Sequence, residues 1–208
     1  INDPQATTWI SMESKEGEVK HFSSDEIGNE REDVLDELAD AVIIGLRDYC
    51  QKSGIEQIVL GLSGGIDSAV AACVAAEAVG PENVLGISMP SRFSSQHSMD
   101  DAKYTAEALG MEYATISIDS HHSGIEHHLE QMLEEGSNVA AENIQSRLRG
   151  ILVMAHANAQ GRMAIATGNK SELAQGYCTL YGDMAGGYTP LGDVYKMEVY
   201  GLQANMKI

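Results

Sequence analysis

With 208 residues, 43% of them hydrophobic and 21% charged, the chain carries enough apolar material for one sizeable core and too much of it for wholesale disorder. It has 13 lysines and arginines against 31 aspartates and glutamates, a net charge of −18 that repels nucleic-acid phosphates and anionic lipid and so argues against either as a partner. The apolar stretches fall well short of the roughly 20 residues that cross a bilayer. The opening INDPQATTWISMESKEGEVK has no basic start and apolar centre of a signal peptide, and Cys50, Cys73 and Cys178 form no CxxC pair, so a cytoplasmic, reducing setting is expected.

Residues 1–29 are polar, broken by Asp3-Pro4, Gly17 and Gly28, and are expected to form an irregular leader or linker. Over 30–52, Val34, Leu35, Leu38, Val42, Leu46 and Tyr49 recur at helical spacing, and Ser53-Gly54 supplies the stop. Residues 57–61 (QIVLG) read as a buried strand, followed by the turn Leu62-Ser63-Gly64-Gly65 and an Ala-rich helix over 67–79 that ends at Gly80-Pro81. The rhythm repeats, with a strand at 83–89, a helix at 95–109 stopped by Gly110, and a strand at 111–118. A helical stretch then places Ile144, Leu148, Ile151, Leu152 and Ala155 on one face, before the strand 163–167 (MAIAT), a turn into Ser171 and Glu172, a Gly- and Tyr-rich loop, and a last helix from Val194. Alternating strands and helices predict an α/β fold, a doubly wound parallel sheet flanked by helices and Rossmann-like in plan.

The most informative segment is Gly61, Leu62, Ser63, Gly64, Gly65, Ile66, Asp67, Ser68, a glycine-rich turn between a buried strand and a helix start. Such a turn aims backbone N–H groups, the helix dipole and the two serine hydroxyls at one spot, which suits phosphate. No lysine follows the glycines, so it is not a Walker A loop, and a plain tight turn is the competing explanation. A carboxylate at Asp67 would repel a phosphate unless a cation lies between them, and Mg²⁺ does that. As a mere first-turn carboxylate it would gain only about 0.3–1 kcal/mol from the helix dipole. Glu172 holds the analogous place after MAIAT, and in a parallel sheet both positions share the carboxyl edge, so Asp67 and Glu172 are expected to converge on one metal.

SGGIDS resembles the SGGxDS loop of the ATP pyrophosphatase superfamily. TGNKSELAQGYCTLYGDMAGGYTPLGDVYK (167–196), ENIQSRLRG (142–150) and MPSRFSSQHSMDDA (89–102) are similar to the NAD⁺ synthetase family, most of all to the synthetase domain of its glutamine-dependent form. The resemblance covers 30–208 and implies an adenine nucleotide alpha hydrolase-like fold. It also implies an ATP- and Mg²⁺-dependent carbon–nitrogen ligase that adenylates deamido-NAD⁺ and amidates it with ammonia, yielding NAD⁺, AMP and pyrophosphate.

On the matched positions, the resemblance implies that residues 61–68, Thr167 and Lys196 bind ATP, and that Asp67 and Glu172 hold Mg²⁺. Asn143, Arg147, Glu172 and Asp183 would meet deamido-NAD⁺, with Asp67, Lys196 and Asp183 catalytic. Arg92, Ser94 and Gln96 fall near the adenosine half. It further implies a homodimer and an upstream glutaminase, of whose amidase domain residues 1–29 would be the tail, and a C-terminus shorter than the family's. A non-catalytic nucleotide-binding module and another SGGxDS ligase, such as a GMP synthetase, remain open at this point. For Arg147 the plainer expectation is an exposed charge paired with Glu142 or Asn143, and for Asp183 a turn aspartate. The histidines His121, His122, His127 and His128 are expected to decorate a solvated helix and loop, since adjacent pairs point to different faces.

Overall fold

The computed structural model describes residues 9–13, 19–135 and 138–206. It opens with an antiparallel hairpin of β1 (Trp9–Glu13) and β2 (Val19–Ser23), with Trp9 opposite Ser23 and Glu13 opposite Val19. The irregular leader expected over 1–29 is corrected here, because two of its stretches pair as strands and its end from Ser24 already belongs to helix α1 (Ser24–Ser53). Strands this short offer too few alternate positions for a period to emerge from a polar background. Asp3, Pro4 and Gly17 lie outside the described residues.

The α/β body follows in the expected order. It comprises β3 (Ile58–Gly61), α2 (Ile66–Val79), β4 (Val84–Ser88), α3 (Gln96–Leu109), β5 (Glu112–Thr115), α4 (Asp119–His128), α5 (Glu130–Glu135), α6 (Asn138–Gln160), β6 (Met163–Ala164), α7 (Lys170–Gln175) and α8 (Lys196–Met206). All four strands of the sheet are parallel in the order β5-β4-β3-β6, with Ile58 opposite both Val84 and Met163. The direction of winding reverses between β3 and β6, which opens a crevice at their carboxyl ends. β6 is shorter than MAIAT suggests: the Ile165 N–H still donates to the Val59 carbonyl at 3.0 Å, but Ile165 also bridges Tyr188, and from Ala166 the N–H donates to the Tyr188 carbonyl at 2.9 Å.

Alternate residues of the sheet feed two cores. Ile58, Leu60 and Val84 pack with Leu46, Val70, Ala102 and Leu202 on one side, and Val59, Leu85 and Ile87 pack with Ile118, Val153 and Ala157 on the other. Helix α2 is buried around most of its circumference, Val70 through Ala76 included, which its alanines permit because they let the sheet and neighbouring helices approach closely. Among the described side chains of α1, from Val34 on, the buried positions are Ala39, Leu46 and Cys50, flanked by Leu38, Val42 and Ile43, while Val34 and Tyr49, expected on the apolar face, are exposed.

The expected face of α6 is corrected in part, since Leu148 is buried and Leu152 packs against the core as expected. Leu148, Val153 and Ala157 are buried, whereas Ile151 is 62% exposed and Ala155 faces solvent. This helix is apolar on more than one side, so periodicity alone could not say which side the sheet would take.

Helix α8 rests on α1 and α2 through buried Val199 and Leu202, and Gly201 gives the Leu35 side chain room. That seat fixes where the first residue of α8, Lys196, projects. Leu202→Ala should therefore cost about 2–5 kcal/mol in urea unfolding. A loss below about 1 kcal/mol would show that α8 is not part of the cooperative core.

Candidate active site

The glycine-rich turn leaves β3 at Gly61 and enters α2 at Gly65, and it is braced from within. The Gly65 N–H donates to Ser63 Oγ at 3.1 Å, Ser68 Oγ donates to the Gly65 carbonyl at 2.8 Å, and the two serine hydroxyls lie 3.1 Å apart. Gly64 has φ +79°, and a Cβ there would strike the Ser98 backbone on α3; Gly65, at φ −86°, sits in ordinary extended backbone. No side chain caps α2, so the helix start is free to receive an anion.

Asp67, in the first turn of α2, is doubly engaged. Lys196 Nζ forms an ion pair with its Oδ2, and Asn169 Nδ2 donates to its Oδ1 at 3.0 Å. Asn169, only 1% exposed, is also the N-cap of α7: the Glu172 N–H donates to its Oδ1 at 3.1 Å and its own N–H donates to Glu172 Oε2 at 3.0 Å. Asp67 and Glu172 thus come from the ends of adjacent strands and meet through one buried amide. A free first-turn carboxylate acting only on the helix dipole does not describe Asp67.

Asp67, Ser68, Thr167, Glu172, Cys178 and Asp183 line a cavity of about 190 Å³. Three carboxylates beside hydroxyls are the hard oxygen set that Mg²⁺ takes, and Asp67 already pairs with a positive group, the Lys196 ammonium. The donor set therefore fits Mg²⁺, with the remaining positions left to phosphate and water.

A larger cavity of about 460 Å³ adjoins it, and Ser63, Ala166, Thr167 and Asp183 belong to both. Helix α6 supplies its far wall through Ser146, Arg149, Gly150 and Val153. Arg149 Nε donates to the Met89 carbonyl at 3.1 Å, and burial lowers the pKa of its guanidinium. The same helix holds the Gly- and Tyr-rich loop. Thr179 Oγ1 donates to Asn143 Oδ1 at 2.8 Å, Arg147 Nε donates to the Leu180 carbonyl at 3.2 Å, and the Asp183 N–H donates to Ser146 Oγ at 3.0 Å. At Gly150 a Cβ would come within 2.9 Å of the Tyr181 and Gly182 carbonyls, so glycine is what lets the loop lie against the helix.

Asn143 and Arg147 therefore both engage one loop, and Arg147 bonds the loop backbone where a Glu142 or Asn143 partner was the plainer expectation. Asp183 does accept the Thr179 N–H at 2.7 Å, as a turn aspartate would, while bordering both cavities. Of Arg92, Ser94 and Gln96 after β4, only Ser94 lines the larger cavity, alongside Met89 and Pro90. Arg92 turns away to pair with Glu126 at 2.7 Å, and Gln96 bonds Asp100 at 2.8 Å.

Asn169, Ser146 and Arg149 were not singled out from the sequence. Asn169 with Glu172 three residues later is a readable capping box, and Ser146, Arg149, Gly150 and Val153 follow helical spacing. Among the histidines, His122 is buried, with Nδ1 3.6 Å from Glu126, and His121, His127 and His128 are not buried.

Residues 38–208 match the family model described as NAD synthase. The chain belongs to the NAD synthase family. It is 52% identical over 161 residues to a glutamine-dependent NAD(+) synthetase of Rhodobacter capsulatus, covering 77% of this chain and 29% of that protein. The structure of the glutamine-dependent NAD⁺ synthetase of Acinetobacter baumannii in complex with ADP matches with a TM-score of 0.80 at 40% identity, over 82% of this chain and 33% of that one. An NH3-dependent NAD synthetase from Campylobacter jejuni, in complex with nitrate ion, matches with a TM-score of 0.76 at 32% identity, over 84% of this chain and 74% of that one. The chain thus has the family's fold and spans about a third of the length of the curated relatives it matches.

Gly64→Ala should destabilise the fold by about 1–2 kcal/mol from left-handed backbone strain alone, and by more once the Ser98 clash is added. Gly65→Ala should be milder, and equal losses in thermal unfolding would overturn the distinction. The cysteines give a second test. Burial and Glu77 push the Cys73 thiol up to about 11, and burial also raises Cys50, whereas Cys178 is only half-buried. Iodoacetamide near neutral pH should label Cys178 first, as read by peptide mass spectrometry, and equal rates at all three would contradict this burial pattern. A thiol that ionises later in the fold than in the unfolded chain favours folding below pH 9, and that contribution is lost as pH climbs towards 11. Wild type should therefore lose more stability over that interval than Cys73→Ala.

Proposed function

We propose that the chain is the synthetase unit of an NAD⁺ synthetase, an ATP-dependent ligase that amidates deamido-NAD⁺. The observation that carries this is the meeting of Asp67, Glu172 and Lys196 beside an uncapped helix start, with Asp67 and Glu172 lining the smaller of two adjoining cavities. The ADP bound to the Acinetobacter baumannii relative supports an adenine nucleotide as ligand, and the uncapped glycine-rich turn suits the polyphosphate at residues 61–68, with adenosine in the adjoining larger cavity.

In this reading Thr167 lies where adenosine and phosphates meet, and Lys196 neutralises phosphate charge from a distant helix, replacing the lysine that the turn lacks. Asp67 and Glu172 hold Mg²⁺, which when bound screens the phosphate oxygens and makes pyrophosphate a better leaving group. Asn143, Arg147 and Asp183 keep the loop over deamido-NAD⁺ and bring its nicotinate carboxylate in line with the α-phosphorus. That carboxylate oxygen bonds to phosphorus as the bond to pyrophosphate breaks. Ammonia then attacks the acyl carbon, AMP departs with the bonding pair, and the ammonium proton is released to solvent.

Further features of the whole protein are proposed with it. The glutamine-dependent relatives support an amidase portion upstream that supplies ammonia, with the residues before α1 as the connecting segment. The exposed Ile151 and Met154 of α6 support a homodimer. The cytoplasm is the proposed location; no helix among the described residues is long and apolar enough to cross a membrane.

The test is AMP release from ATP and Mg²⁺ at saturating ammonium. Release should depend on deamido-NAD⁺ and fall about 10²–10³-fold in Asp67→Asn or Lys196→Met, with thermal unfolding little changed. ATP binding without deamido-NAD⁺-dependent release would favour a non-catalytic nucleotide-binding module. Unfolding of Asp67→Asn would make Asp67 a structural residue instead.

A further inference from the structure

We propose that Asn169 is the positioning residue of the metal site, setting the two carboxylates relative to each other while touching neither substrate nor metal. The inference rests on the proposed assignment of Asp67 and Glu172 to Mg²⁺. Asn169 is 1% exposed, and every polar group it owns towards the site is committed. Its Nδ2 donates to Asp67 Oδ1 at 3.0 Å, its Oδ1 accepts from the Glu172 N–H at 3.1 Å, and its backbone N–H donates to Glu172 Oε2 at 3.0 Å.

The geometry has two separable parts. The Oδ1 and backbone bonds form the capping box of α7 and fix Glu172 from its own helix. The Nδ2 bond crosses to α2, a separation of 102 residues, and contributes nothing to capping. Its effect is to hold Oδ1 of Asp67, a residue that lines the smaller cavity, and thereby orient the carboxylate so that Oδ2 faces the Lys196 ammonium. Without that donor the Asp67 carboxylate is held at one oxygen only, by the Lys196 ion pair, and its orientation towards the second carboxylate is less fixed. Groups of this kind, bonded to ligating carboxylates, commonly change metal affinity by about 10–100-fold when removed.

Serine separates the two parts. It caps a helix about as well as asparagine, so Asn169→Ser keeps the box and deletes only the bond to Asp67. Asn169→Ala deletes both. The probe is Mn²⁺, titrated by electron paramagnetic resonance into the protein saturated with α,β-methylene-ATP, alongside thermal unfolding without metal and analogue binding without metal.

The expected result for Asn169→Ser is Mn²⁺ affinity lowered about 10–100-fold, with the unfolding midpoint within about 1–2 °C of wild type and metal-free analogue binding unchanged. Asn169→Ala should show the same affinity loss with a lower midpoint. Wild-type Mn²⁺ affinity in Asn169→Ser, with Asp67→Asn strongly impaired, would reduce Asn169 to a helix cap and overturn the proposal while leaving the metal assignment standing. If wild type and Asp67→Asn bind Mn²⁺ alike, the metal assignment itself fails and this inference falls with it.

Discussion

A carboxylate placed beside a phosphate-type turn is tolerable only when a cation balances it, and the arrangement around Asp67 answers that constraint. In a chain with a net charge of −18 the surrounding field makes the demand stronger. The Lys196 ammonium answers it from α8, and the Asn169 amide adds a donor from α7. Both partners come from chain segments more than a hundred residues beyond Asp67, so the site closes only when the sheet has formed and α8 has docked.

The fold is arranged to deliver those groups to one edge. β3 and β6 lie side by side at the reversal of winding, and the turn after each strand carries one carboxylate. Helix α2, lined with alanine, sits deep enough to bring its start close to α3, where Gly64 passes the Ser98 backbone. Helix α6 closes the opposite wall and anchors the loop of residues 177–187 through Asn143, Ser146 and Arg147. Buried hydrocarbon thus supplies rigidity, and a small number of polar bonds between distant segments sets direction.

Much of this was legible in the amino-acid sequence, because strand and helix periods, glycine stops and the spacing of SGGIDS and TGNKSE are local signals. The carboxyl-edge rule for parallel sheets placed Asp67 and Glu172 together before any coordinates. What remained hidden depends on tertiary choice. The buried side of α6 could not be told from its other apolar side, and the sheet took Val153 and Ala157 over Ile151. Arg92 carried the right charge near the right strand, yet Glu126, a neighbour only in space, drew it away. The hairpin of β1 and β2 left too short a pattern to detect.

The two cavities share Ser63, Ala166, Thr167 and Asp183, so they are compartments of a single trough. A molecule long enough to lie across both is retained by two weak grips in series, each raising the effective local concentration of the other end. Cutting such a molecule in the middle abolishes that mutual reinforcement at once. Each half then faces its own compartment alone, and the same wall that favoured the intact ligand no longer resists departure of the pieces.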